Sequence, residues 1–208
     1  NTVSGVTTRF TVDNGATATF NATLSGSGGT FTNNGTTTIG TTGSITTTGL
    51  FSNTNLLNVN AAFTPTSASN TGTIAISGAG GNFTVPSGFT NVNGIISTAS
   101  SGTLTVSNPI TSGTITNGAT TNVSAALTPT SASNSGTITI SGASGNFTVP
   151  SGFNNSGGTI TTTSSGTLTV SNDITSGTIN NGANTIVTAV LSPTSASNGG
   201  TMHINSGG

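Results

Sequence analysis

Cysteine, tryptophan, tyrosine and lysine are all absent from this 208-residue chain, and histidine and methionine each occur once. Zero cysteine excludes disulfides and thiol chemistry. The only formally charged side chains are Arg9, Asp13 and Asp173, 1% of the residues, where ordinary soluble domains carry about a quarter. Almost nothing titrates, so stability is expected to be nearly independent of pH. There is no basic patch, which argues against nucleic acid as a partner, and no apolar run approaches the ~18 residues of a transmembrane helix. His203 has no Cys, Glu or second His to share a metal with, so no metal or cofactor is expected. Asp13 and Asp173 sit at non-equivalent repeat positions and do not form a carboxylate pair. The abundant serines lack a base, so no catalytic residue is assigned and the chain does not read as an enzyme.

What is present is repetition. Residues 63–126 and 127–190 match without a gap at 48 of 64 positions. Phe63-Thr-Pro-Thr-Ser-Ala-Ser-Asn70 returns at Leu127–Asn134 and again, with one further change, at Leu191–Asn198. A unit of 64 residues was duplicated whole, the mark of an architecture that builds length rather than a unique cleft. A second motif, DNGATATFNATL at 13–24, recurs in diverged form at 52–63, 116–127 and 180–191, which makes the first and last units shorter than the others. Truncated end units are expected to leave apolar surface and unpaired backbone that identical subunits would cover. The start at Asn1 without methionine is consistent with removal of a secretory signal or excision from a longer precursor.

Apolar residues alternate with Thr, Ser and Asn. In 10–24 they fall on even positions: Phe10, Val12, Ala16, Ala18, Phe20, Ala22 and Leu24. Period two predicts a strand, and this segment is the candidate polymerisation strand. In the second full unit six strands are read, at 137–140, 146–149, 159–161, 167–170, 178–179 and 185–191, punctuated by Gly, Ser, Asn and Pro. No helix is expected. The favoured arrangement is all-β: tandem small antiparallel β-sandwiches cored by Ile74, Ile76, Phe83, Val85, Phe89, Leu104, Val106, Ile115, Val123 and Leu127. The alternative is a parallel β-helix, suggested by Gly-started segments at 72, 94, 113 and 136, which predict coils of about 21 residues. The sandwich reading divides the chain into an N-terminal strand segment 1–24, a first domain 25–115 and a second 116–208.

The segments NGATTNVSAALTPTSA and NNGANTIVTAVLSPTSA resemble the leading strands of immunoglobulin-like repeats in prokaryotic surface proteins. With the alternating N-terminal segment, the chain is similar to subunits of archaeal threads and donor-strand pili. That resemblance implies Ig-like sandwiches, an N-terminal donor strand and a homopolymer. The chain departs from sortase-type pilins in having no lysine, which excludes Lys–Asn isopeptide bonds. SSGTLTVSN and GGTMHINSGG instead resemble coils of autotransporter and filamentous-haemagglutinin passengers, which would imply the β-helix and an adhesin.

Six Asn-X-Ser/Thr sequons, at Asn21, Asn34, Asn82, Asn122, Asn146 and Asn154, are candidate glycosylation sites. Taken together, the sequence predicts a secreted or cell-surface structural subunit that polymerises with its own kind by strand complementation. Covalent glycans or surface carbohydrate are the other expected partners. A non-polymeric adhesin or carbohydrate-binding module is the alternative. Ice binding is a third possibility, because regular Thr arrays on a flat β face suit it, although no clean Thr-X-Thr ladder at fixed register persists.

Overall fold

The computed structural model describes residues 9–26, 28–47 and 49–205. The chain winds into a parallel β-solenoid of about ten turns, each turn laying one short strand or bridge on each of three faces. Face one carries β1 (Arg9–Val12), β4 (Thr30–Asn33), β7 (Leu50–Asn53) and β10 (Ser67–Asn70). It continues through the bridges Ser69–Thr90 and Ile110–Leu127 to β17 (Ala126–Leu127), β20 (Asn146–Thr148), β22 (Thr167–Val170), β24 (Asn184–Val187) and β26 (Thr201–Ile204). Face two holds β2 (Thr17–Phe20), β5 (Thr36–Ile39), β8 (Leu56–Val59), β11 (Thr73–Ser77), β13 (Ile95–Ala99), β15 (Thr114–Asn117) and β18 (Ser131–Asn134). The bridges Ser133–Asn154 and Ile174–Leu191 extend it. Face three starts with β3 (Thr23–Gly26) and β6 (Ser44–Thr47). It then runs through β9 (Ala62–Phe63), β12 (Asn82–Thr84), β14 (Thr103–Val106), β16 (Thr120–Val123), β19 (Thr137–Ser141), β21 (Thr159–Thr163), β23 (Thr178–Asn181) and β25 (Ser195–Asn198).

This overturns the Ig-like sandwich, and with it the resemblance to thread and donor-strand pilus subunits. Every strand pairing among the described residues is parallel, as in β11 with β8 and β13, whereas hairpins require antiparallel neighbours. The glycine-rich turns are corners between faces, not hairpins. Gly78-Ala-Gly-Gly81 joins β11 to β12, but β12 pairs with β9 and β14 on the next face. Asn181-Gly182 likewise joins β23 on face three to β24 on face one. The expected β-helix alternative is the fold. Residues 10–24 are not one donor strand either: β1, β2 and β3 wrap all three faces and pair in register with β4, β5 and β6. Parallel pairing also runs through both expected domain boundaries, as where β15 bonds to β13 and β18.

Strand and corner lengths vary, so one turn takes 17 residues from Thr120 to Thr137 but 22 from Thr73 to Ile95. The 64-residue unit therefore closes three turns and overshoots by one face. The same Ser-Ala-Ser-Asn lies on face one as β10, on face two as β18 and on face three as β25.

Period-two alternation sends every second side chain into the bore, giving one core cluster from Val12 to Val187. All ten core residues expected from the sequence are buried. Phenylalanines stack between turns, with ring centroids 4.9 Å apart for Phe31 and Phe51 and 5.5 Å for Phe63 and Phe83. Such contacts add about 0.5–1.5 kcal/mol beyond area burial.

Asparagine enters the core as well. On face one Asn33 Nδ2 donates to Asn53 Oδ1, Asn53 to Asn70 and Asn70 to Asn91, each at 2.7 Å. On face two Asn117 donates to Asn134 and Asn134 to Asn155, again at 2.7 Å, and Thr98 Oγ1 donates to Asn117 Oδ1 at 2.6 Å. Face three repeats the start, with Thr162 donating to Asn181 and Asn181 to Asn198. The second amide hydrogen finds a backbone carbonyl, Leu56 for Asn33 and Thr137 for Asn117. A buried amide with its donors used is tolerated, and an orphaned one costs about 1–3 kcal/mol. At Gly113 and Gly177 the corner passes so close to the Asn91 and Asn155 carbonyls, with φ of 78° and 75°, that no Cβ fits.

Candidate functional surface

With the core closed by apolar and asparagine side chains, the chemistry available to a partner lies on the outward positions. On face three they form two files. Thr103, Thr120, Thr137, Thr159 and Thr178 stack in register, and beside them Thr105, Asn122, Thr139, Thr161 and Asn180. Asn82 and Thr84 extend the files at one end, Ser195 and Ser197 at the other. At fixed register this is a mixed ladder, Thr-X-Thr in β14, β19 and β21 and Thr-X-Asn in β16 and β23. Unequal turn lengths hide it from any fixed spacing along the chain.

The other two faces are interrupted. Face two presents Leu56, Ile95 (40% exposed), Asp173 and Val190 (49%), and face one presents Arg9, Leu50 (41%), Pro109 and His203. Of the four ionisable side chains, Arg9 and His203 lie on strands of face one, while Asp13 follows β1 at a corner. Asp173 Oδ1 accepts the Val190 N–H at 3.1 Å. An open groove of about 470 Å³ beside it is lined by Ser151, Phe153, Asn172, Asp173 and Thr175. Among the described residues no three His, Cys, Asp or Glu side chains gather, and no helix is long and apolar enough to cross a membrane.

None of the six sequon asparagines belongs to the buried ladders, and Asn21, Asn122 and Asn154 are exposed. Asn34, Asn82 and Asn146 are half-buried, and their Oδ1 atoms accept hydroxyls from Thr54 (2.9 Å), Thr105 (3.3 Å) and Thr169 (3.0 Å) of the next turn. Equivalent in the repeat, Asn82 and Asn146 face different directions, on faces three and one.

Of the candidate polymerisation residues, only Val12 is buried, Phe10 is 37% exposed, and Ala16 and Ala22 are exposed at corners. Ala18, Phe20 and Leu24 pack partly against the core. Phe10 stacks on Phe31 at 5.0 Å and meets the Phe20 edge at 5.4 Å.

Sequence reasoning missed the asparagine ladders. The signal was there: Asn70, Asn134 and Asn198 stand in phase with the inward Ala68, Ala132 and Ala196, and a polar residue repeated at an inward position asks for a partner. No protein-family model, no curated protein and no solved structure matches the chain.

Proposed function

We propose that the protein is an extracellular structural element, a stiff rod that contributes length to a filament or surface layer and performs no catalysis. One observation supports this above others: a single core continues through about ten stacked turns, a shape that spans distance and encloses no substrate. In solenoids each turn is held by its neighbours, so the unit of design is length. Assembly with identical subunits is part of the proposal. Among the described residues β1 and β26 each pair on one side only, and the backbone groups of such an edge accept another parallel strand. That edge calls for coil-on-coil stacking.

Ten turns at about 4.8 Å give a rod about 48 Å long per chain. Negative-stain micrographs and light scattering should show straight rods whose lengths are multiples of that value. Compact particles of a single size at high concentration would remove the polymer. Glycans at the sequons would add hydration to a surface almost free of charge, and a native mass of 19.9 kDa would remove them. A second reading, an adhesive or carbohydrate-binding module, is favoured by the polar groove at Asp173. It predicts loss of glycan binding in Asp173→Ala without change of particle length.

A further inference from the structure

We propose that face three is an ice-binding surface. From β12 to β25 its two outward files hold only Thr, Ser and Asn. Among the described residues, the charged side chains and exposed large hydrophobics lie elsewhere on the molecule. Adjacent files stand about 6.6 Å apart along a strand and successive turns about 4.8 Å apart. These spacings lie close to the two repeats of the oxygen lattice on a prism plane of ice.

Threonine suits such a surface for two reasons. Its hydroxyl donates and accepts as a water molecule does, and its methyl group excludes disordered water between the anchoring points. β-Branching fixes χ1, and Thr105, Thr139, Thr159 and Thr161 are half-buried between neighbouring turns, so the array is held before it meets the lattice. Little ordering entropy remains to be lost on binding. Absence of charge matters for the same reason, because a charged group keeps a hydration shell that does not match the crystal. A crystalline polysaccharide is the competing flat ligand. It favours exposed aromatic rings, and face three has none: Phe63 and Phe83 point into the bore.

The test compares substitutions on two faces of the intact chain. Thr139→Lys with Thr161→Lys places two protruding charges at the centre of face three, while Thr116→Lys puts one on an exposed position of face two. Uptake into a slowly growing ice hemisphere is measured for each, with far-ultraviolet circular dichroism to verify the fold. The expected result is wild-type enrichment in ice, about a tenfold loss in the face-three double variant and unchanged uptake in Thr116→Lys. If the double variant does not fold, Thr139→Val with Thr161→Val, which keeps shape and removes the hydroxyls, replaces it. Exclusion of the wild type from ice, equal loss on both faces, or retention on crystalline cellulose with exclusion from ice would overturn the proposal.

Discussion

The tetrapeptide Ser-Ala-Ser-Asn occurs as β10, β18 and β25 in three different surroundings. In β10 and β18 the Ala and Asn are buried, whereas in β25 all four residues are exposed. β10 and β18 have a strand on one side and a bridge on the other, while β25 among the described residues pairs only with β23. Identical local sequence therefore gives strand in all three places, but burial comes from the coils above and below. In a solenoid the environment of a residue is a property of stacking.

The largest expected effect comes from charging the inward alanine. Ala132→Lys places an ammonium in the bore with no partner, a cost of several kcal/mol; its urea transition should shift strongly or lose cooperativity. Ala196→Lys should leave that transition in place. Equal destabilisation would mean that β25 is covered in solution.

Next is the ladder. Asn134→Ala removes the acceptor of Asn117 and the donor to Asn155 and should cost about 2–3 kcal/mol in denaturant unfolding, against a few tenths for Asn198→Ala. Smaller effects separate the two copies of one threonine. Thr121 Oγ1 donates to Asn117 Oδ1 at 2.9 Å, but its equivalent Thr185 is fully buried with an unpartnered hydroxyl. Thr121→Val should destabilise by about 1 kcal/mol and Thr185→Val should stabilise by a similar amount; the same sign in both thermal scans would refute the distinction. Smallest of all is the response to acid. The chain holds only two carboxyl side chains and one imidazole, so the melting temperature should stay level from neutral pH into the acid range.

Strands and core were legible in the sequence because alternation is local. The pairs Ile74/Ile76 and Leu104/Val106 announce which side faces inward without reference to any other strand. Partner choice was not legible. A corner such as Gly78–Gly81 has the composition of a hairpin turn, and a parallel neighbour lies a whole turn away, across two further faces. Spacings of 22, 19 and 23 residues between Gly-started segments carried the period, but their irregularity is also what concealed the threonine files on face three. Those files appear only once register is known, because Thr120, Thr137, Thr159 and Thr178 follow one another at unequal intervals.

The absence of native cysteine makes register directly testable by Thr120→Cys with Thr137→Cys. Facing positions on adjacent parallel strands lie about 4.8 Å apart, within the range a disulfide bridges. The solenoid predicts rapid, near-complete intramolecular cross-linking under mild oxidation with the fold retained, and a pair that stays reduced, or links only between molecules, would contradict it.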